Sequence, residues 1–412
     1  MVVLAACRAP APSAPTSGAS IPASATASCA PGTPQSASTQ SSERASPEQA
    51  IARLFTGALS ADWFSPSFVR AIPVSKLEKD IERFTGNLGA LKRVTRRSDD
   101  FAVEFEKGLI PTDARFDAEG RFTMVFFHPA ELPPVPLGEA VEALGALHGQ
   151  TSVLVLTDGA ERSARRADEP MAVGSSFKLA MLAVLRDDVD KKRRSWTDIV
   201  ALRAADRSTP TGLLQNWPEG SRLTLESLAS LMISQSDNTA ADTLLHVIGR
   251  DRVESLSSRN RPLLSTRELS ILKADGNGGQ LARYQAGDES ARRAILADIA
   301  TQPAPGKNRV HSKPTALDVE WLFTARELCA LMSKVQDLPL MSINTGPARA
   351  ADWDHVAYKG GSEPGVINMT TWMRKGARSH CVSATWNDPA SSVDDGAFAS
   401  AYGRVIASLR EP

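Results

Sequence analysis

The spacing of apolar residues changes within the first third of the chain. Between residue 46 and about residue 92, apolar side chains recur every three or four positions, which predicts helices. From residue 93 the period becomes two, as in the run that holds Phe101 and Phe105, which predicts strands. Helices followed by a strand meander predict a small α+β domain, residues 46–132, whose sheet curls round an apolar face.

The rest of the chain shows a different order of elements. A proline-rich run at 133–136 predicts a linker. Beyond it, residues 137–412 have strand-like runs near both ends, helical patterns in the middle and a last helical pattern from about 393 to 409. We therefore expect a two-domain α+β protein. Its second domain should build a sheet from both of its ends and pack it on helices from its middle.

The first 45 residues predict an exported and tethered chain. Leu4-Ala-Ala-Cys7 resembles a bacterial lipobox, in which the cysteine is lipidated. Serine, alanine, proline and threonine dominate from there to about residue 45, a composition that predicts a disordered tether. We expect a bacterial cell-surface lipoprotein anchored at Cys7. Because so few residues precede Cys7, we also expect the true start codon to lie upstream of Met1.

Composition argues against several classes of function. Lysine plus arginine and aspartate plus glutamate both number 47, so no net field attracts nucleic acid, and the lipid anchor is the only membrane contact expected. Histidines and cysteines show no metal-ligand spacing, so we expect neither a metal nor a cofactor. Cys329 and Cys381 lie in apolar segments, and the sequence fits either two buried thiols or one bridge between them.

Three short motifs in the second predicted domain carry the candidate chemistry. Ser175-Ser-Phe-Lys178 opens a helical apolar pattern, Ser236-Asp-Asn238 follows it, and Lys359-Gly-Gly361 lies in a strand-like run. The Ser-x-x-Lys pattern alone is a weak signal, because Ser270-Ile-Leu-Lys273 repeats it. The second copy comes after the Ser-Asp-Asn motif instead of before it. The order of the motifs therefore favours Ser175.

In this order the motifs resemble the Ser-x-x-Lys, Ser-Asp-Asn and Lys-Thr-Gly set of class A β-lactamases and penicillin-binding proteins. The surrounding phrases at 231–242 and 262–268 agree with the family, and the resemblance covers about residues 137–412. It implies a β-lactamase or transpeptidase-like domain with an antiparallel sheet flanked by helices. It also implies that the partner is a small acyl compound such as an ester, a β-lactam or a peptidoglycan-like amide.

The first motif has the chemistry of an activated nucleophile. A serine hydroxyl attacks a carbonyl only when a neighbour removes its proton. Ser175 and Lys178 are three residues apart and so lie on one face of a helix, where a desolvated lysine has a pKa low enough to act as the base. At the first turn of that helix, the free amides and the dipole would face the attacked carbonyl.

The resemblance assigns roles to the second and third motifs. Ser236 would relay the proton to the leaving group, and Asn238 would bind an amide of the substrate. Lys359 would act electrostatically on Ser236 and on a substrate carboxylate.

The glycines of the third motif belong to the same predicted site. By the resemblance, the backbone amides of Ser175 and Ser362 form the oxyanion hole, and Gly360 and Gly361 contribute to substrate binding. Gly360 stands where the family has threonine. This change removes a hydroxyl and should leave room on the strand.

A second departure concerns the removal of the acyl group. Class A enzymes carry a Glu-x-x-Leu-Asn loop whose glutamate activates the deacylating water, whereas here residues 249–256 run almost directly into 262–268. Glu254 and Glu268 lie in helical patterns, where we expect solvated surface positions. Efficient class A hydrolysis of penicillins is therefore in doubt.

These departures, together with the extra N-terminal domain, resemble one branch of the family. That branch contains exported actinobacterial serine hydrolases and the β-lactamase-like protein of clavam biosynthesis, whose N-terminal domain is similar to steroid isomerases. The likeness implies that a basic residue of that domain reaches the pocket, and Lys92 is its nearest match by position.

Three functions fit this sequence. The leading one is a serine hydrolase that forms an acyl-enzyme at Ser175 on an ester or amide. Its alternative among enzymes is a true class A β-lactamase or a D-alanyl-D-alanine peptidase. The alternative outside enzymes is a penicillin-recognising module that is acylated without turnover.

Overall fold

The computed structural model describes residues 45–97, 100–303, 305 and 313–410. The described residues divide into two compact units, with the boundary between residues 130 and 131. The predicted linker at 133–136 falls within the second unit. Cys7 and the predicted tether up to residue 44 lie outside the described residues. None of the helices described is long and apolar enough to cross a membrane.

The described part of the N-terminal unit consists of short helices followed by a four-stranded sheet. Its helices are α1 (Pro47–Ala52), α2 (Pro66–Ala71) and α3 (Val74–Thr85), and its strands are β1 (Leu91–Arg96), β2 (Phe101–Phe105), β3 (Leu109–Phe116) and β4 (Phe122–Phe127). Neighbouring strands pair antiparallel in sequence order. Ser46 and Ser65 cap the first two helices, as short polar side chains do at helix N-termini.

The predicted order of helices before a strand meander is thus confirmed, with one correction at the boundary. The helical pattern was expected to extend to about residue 92, but α3 ends at Thr85 and β1 begins at Leu91. Lys92 therefore lies in a strand, where it is exposed. The physical reason is the pairing of Leu91 and Val94 with residues of β2, a contact across the sheet that local spacing does not show.

The C-terminal unit contains the larger sheet. Its strands are β5 (Gln150–Thr157), β6 (Ala160–Arg165), β7 (Met171–Ala172), β8 (Ile199–Ala201), β9 (Arg222–Thr224), β10 (Leu322–Phe323), β11 (His355–Glu363), β12 (Val366–Lys375) and β13 (Arg378–Asn387). Five of these form one antiparallel sheet in the order β11-β12-β13-β5-β6. The sheet therefore joins strands from both ends of the unit, as the sequence predicted.

Helices cover this sheet. They are α4 (Leu137–Gly145), α5 (Lys178–Asp190), α6 (Leu225–Ser234), α7 (Asn238–Ile248), α8 (Arg250–Glu254), α9 (Thr266–Leu272), α10 (Gly278–Ala286), α11 (Glu289–Ile299), α12 (Ala325–Ser333) and α13 (Asp395–Ala407). Alternate residues of a strand face opposite sides of a sheet. Val153 and Val155 accordingly pack in a cluster with α4 and α13, whereas Leu154 packs in another with α12. The predicted antiparallel sheet flanked by helices is confirmed.

A disulfide joins the sheet to one of its helices. Cys329 of α12 is bonded to Cys381 of β13, which lies 52 positions further along the chain. Of the two possibilities left open by the sequence, the structure thus has the bridge. A closed loop of this length stabilises a fold by roughly 2–4 kcal/mol through the entropy it removes from the unfolded chain.

Candidate active site

The first motif lies in a tight turn that leads into a buried helix. Ser175 belongs to a 3-10 turn, Gly174–Phe177, which continues directly into α5 at Lys178. The aromatic ring of Phe177 stacks on that of Trp321 with 3.9 Å between centroids, and the indole N–H of Trp321 donates to Leu264 O over 2.8 Å. This packing fixes the turn and leaves Ser175 partly exposed at its surface.

Lys178 connects the first motif to the second. Its side chain is fully buried, and Nζ lies 3.1 Å from Ser175 Oγ and 3.2 Å from Ser236 Oγ. Nζ also contacts Ser236 O at 2.8 Å and Asn238 Oδ1 at 2.7 Å. Burial lowers the pKa of Lys178 to about 7, although the carboxylates of Asp242 and Asp237 act in the opposite direction. A large fraction of the amine is therefore neutral near physiological pH.

The contacts of Lys178 suit the neutral amine. A neutral amine has two N–H bonds and a lone pair. Ser236 O can only accept a hydrogen bond, and so can Asn238 Oδ1, whose amide orientation is set because Nδ2 donates to Thr209 O over 3.0 Å. These two acceptors take both N–H bonds, so the lone pair is left for one hydroxyl proton at a time, that of Ser175 or that of Ser236. This is the hydrogen-bond pattern of a general base.

The second motif is the turn between α6 and α7. Ser236 has a φ of +53°, in the left-handed region that residues other than glycine seldom adopt. The buried side chain of Asp237 holds this turn, since it accepts from the amides of Ala240 at 2.8 Å and Leu214 at 3.0 Å. Both polar atoms of Asn238 hold protein groups, and its predicted contact with a substrate amide stays a prediction.

The third motif lies on β11, the edge strand of the sheet. Lys359 is buried, and its Nζ lies 3.1 Å from Ser236 Oγ and contacts Gly360 O. Burial, reinforced by the positive charge that Lys178 carries when it is protonated, holds the pKa of Lys359 well below its usual value. Ser236 Oγ therefore has one amine on each side. The sequence motifs are three parts of one hydrogen-bonded chain from Ser175 to Lys359.

Gly361 allows β11 to approach the turn that holds Ser175. A Cβ at this position would overlap Val173 O and Ser175 N and would lie 2.6 Å from Ser176 N. At Gly174, a Cβ would lie 3.0 Å from Ser362 N. The amides predicted for the oxyanion hole, those of Ser175 and Ser362, thus belong to two backbone segments in close contact, the first in the turn and the second on the exposed end of the strand.

Comparison with known proteins agrees with this architecture. Residues 136–336 match a family model described as the beta-lactamase enzyme family. These residues form a β-lactamase-like domain. The match supports a β-lactamase-like hydrolase. No curated protein matches the chain.

Solved structures that match part of the chain include a β-lactamase from Sphaerobacter thermophilus, which is 21% identical over 66% of this chain and 94% of its own, with a TM-score of 0.47. A second is PBP-A, 14% identical over 66% of this chain and 96% of its own, with a TM-score of 0.42. A β-lactamase from Xanthomonas campestris is 18% identical over 66% and 95%, with a TM-score of 0.41.

Some predicted residues of the β-lactamase-like domain have other contacts. Gly360 was expected to leave room on the strand, but a Cβ there would lie 2.9 Å from Cζ of Tyr358, whose ring occupies the space. In the second Ser-x-x-Lys copy, Ser270 Oγ donates to Thr266 O over 2.9 Å and Lys273 is paired with Glu320. That copy therefore does not share the hydrogen bonds of Ser175. Lys92 belongs to the other unit, and its predicted role stays a prediction.

The expectation for the two glutamates near the shortened loop needs a correction. Glu254 was expected on the solvated surface, but it is 3% exposed, because its carboxylate accepts from Leu263 N over 2.8 Å and pairs with Arg293 at 2.6 Å. Glu268 is partly buried and pairs with Arg250 at 2.7 Å. Both carboxylates are occupied by structural contacts.

One acidic residue near the site of the β-lactamase-like domain was missed. Glu363 lies at the end of β11, two residues beyond Gly361, and its charge and that of Lys178 act on each other. The signal was present in the sequence, since Lys359, Gly361 and Glu363 occupy alternate positions of one strand and must share a face. Among the described residues, no group of three or more histidine, cysteine or acidic side chains could hold a metal ion.

Proposed function

We propose that the protein is a serine hydrolase that forms an acyl-enzyme at Ser175 from an ester or amide. The observation that carries the proposal is the contact of 3.1 Å between Ser175 Oγ and the fully buried amine of Lys178, whose pKa is about 7. Such an amine is partly neutral at the working pH and can take the hydroxyl proton as the oxygen attacks.

The chain from Ser175 to Lys359 supports the acylation steps. The proton of Ser175 passes to Lys178 while Oγ bonds to the carbonyl carbon, and the amides of Ser175 and Ser362 stabilise the oxyanion. The proton then passes from Lys178 through Ser236 Oγ to the leaving group as its bond to the carbonyl carbon breaks. Lys359 stabilises Ser236 during the transfer and attracts a carboxylate on the substrate.

The proposal is tested by comparing a small ester with a penicillin. The full chain should release many equivalents of p-nitrophenol from p-nitrophenyl acetate, because water reaches a small acyl group. Benzylpenicillin should give slow turnover or a long-lived adduct, which peptide mapping assigns to Ser175, because a bulky ring-opened lactam shields the acyl carbonyl.

The other outcomes decide among the alternatives. Penicillin that is cleared as fast as the ester would favour a true β-lactamase, and release of D-alanine from a D-alanyl-D-alanine peptide would favour a peptidase. Labelling of Ser175 without turnover of any substrate would favour the binding module. Absence of any adduct on Ser175 would refute the acyl-enzyme.

We further propose that the protein is exported and anchored through Cys7, as in the lipoprotein branch that it resembles. The bridge between Cys329 and Cys381 supports export, because such bonds persist in oxidising compartments. Expressed in a bacterium with a lipoprotein signal upstream, the chain should appear in the membrane fraction, and Cys7→Ala should release it or leave it unprocessed. Equal membrane recovery of both forms would exclude the anchor.

A further inference from the structure

The face of β11 that carries Lys359 and Gly361 carries one more side chain. Side chains at positions i, i+2 and i+4 of a strand point to one side of the sheet. Lys359 on this side reaches Ser236, and Gly361 on this side meets the backbone of Ser175. Glu363 is the next residue in this row, about 7 Å further along the strand. Its carboxyl group is therefore directed to the side of the sheet on which the turn that holds Ser175 lies.

The charge of Glu363 acts on Lys178, the residue that contacts Ser175. Lys178, which is sealed between Ser175 and Ser236, is affected by the charge of Glu363, and the effect is mutual. Burial and the neighbouring carboxylate of Glu320 raise the pKa of Glu363 to about 7, against the effect of Lys273 and Lys178. A carboxylate of this basicity is matched to proton transfer at neutral pH.

The contacts of Glu363 differ from those of the other acidic residues nearby. Glu320 is ion-paired with Lys273, and Glu254 and Glu268 are held by arginines and backbone amides. The side chain of Glu363 has no hydrogen bond or ion pair with any described residue, and it retains part of its exposed surface. No described protein group thus occupies its carboxylate, whereas the carboxylates of the other three are engaged by protein groups.

We propose that Glu363 is the general base that activates water for removal of the acyl group from Ser175, an inference that rests on the acyl-enzyme proposed above. The water oxygen bonds to the acyl carbonyl carbon while one water proton passes to the carboxylate of Glu363. The tetrahedral intermediate then collapses, and the bond between the carbonyl carbon and Ser175 Oγ breaks. Glu363 returns its proton through Lys178 to Ser175 Oγ, which releases a carboxylic acid and restores the resting site.

Pre-steady-state kinetics with p-nitrophenyl acetate on the full chain test this assignment. Glu363→Gln keeps the shape of the side chain and removes its basicity. The first equivalent of p-nitrophenol should appear at a rate within about threefold of wild type, and the following steady state should slow by about 10²–10⁴-fold. Intact mass spectrometry should then show one acetyl group accumulating on Ser175.

The controls separate this role from a structural one and from failure of the acyl-enzyme itself. Glu268→Gln, a carboxylate with structural partners, should leave both phases unchanged, and Glu363→Asp should recover part of the steady-state rate. A steady state in Glu363→Gln equal to wild type would overturn the assignment while leaving the acyl-enzyme intact. Equal loss in both phases would overturn it in favour of an effect on Lys178, and wild-type protein that is never acetylated at Ser175 would overturn both proposals.

Discussion

Ser175→Ala should lower kcat/KM for p-nitrophenyl acetate by about 10⁴–10⁶-fold, the usual loss when the nucleophile of a serine hydrolase is removed. The expectation is this large because Ser175 combines two properties. Its Oγ lies 3.1 Å from a buried amine of lowered pKa, and its backbone amide belongs to the predicted oxyanion hole. The variant should also lose all labelling by a fluorophosphonate or a β-lactam in intact mass spectra.

Two other serines serve as comparisons. Ser270→Ala should retain wild-type activity, because Ser270 Oγ donates to backbone carbonyls and belongs to the second motif copy. Ser236→Ala should slow acylation but keep the label on Ser175, since Ser236 handles the proton and does not attack. An adduct that persists in Ser175→Ala, or that maps to Ser236 or Ser270, would disprove Ser175 as the nucleophile.

Lys178→Met should lower kcat by about 10²–10⁴-fold, the range for loss of a general base. Methionine fills the buried space without a basic atom. The wild-type rate should rise with pH through about 7, because the base form of Lys178 exists only above its pKa. The variant should lack this rise, as a pH profile of ester hydrolysis will show. Lys178→Arg keeps a cation that cannot lose its proton and should be equally inactive.

The pH dependence of the free energy of unfolding checks independently that the pKa of Lys178 is lowered. The ordinary pKa of a lysine side chain is 10.5, and that of Lys178 in the fold is about 7. Between these two values the unfolded chain binds more protons than the folded one, so the free energy of unfolding should rise with pH across this window. Lys178→Met should remove this rise, as urea unfolding at several pH values will show. Wild-type and variant proteins with the same pH slope would mean that Lys178 is charged in the fold.

The sequence carried the parts of the site that depend on local spacing. The helix after Ser175 and the strand that holds Lys359 follow from the period of apolar residues, and the three motifs follow from their order. The contacts of Glu254 and the bridge of Cys329 did not follow, because each joins segments brought together only by the tertiary fold. The residues next to Glu254 in the sequence do not show that Arg293, which is 39 positions away, pairs with it.

The face of β11 on which Glu363 lies can be predicted from the sequence, but its electrostatic neighbours cannot. Alternation along β11 places it on the face of Lys359, but its importance depends on Lys178 and Glu320, which come from distant parts of the chain. Lys92 was expected at the end of a helix for a related reason, since the partner strand that draws it into β1 follows it in sequence. Periodicity identifies elements, and pairing decides where they begin.

The left-handed backbone of Ser236 lowers the stability of the fold at a residue whose side chain the proposed reaction needs. A residue other than glycine in this conformation costs roughly 1–3 kcal/mol, and the caps made by Asp237 maintain it. Glycine would relieve that strain but would remove the hydroxyl between Lys178 and Lys359. Selection for heat tolerance alone would therefore favour glycine at position 236. Selection for turnover would keep serine, whose hydroxyl contacts both amines.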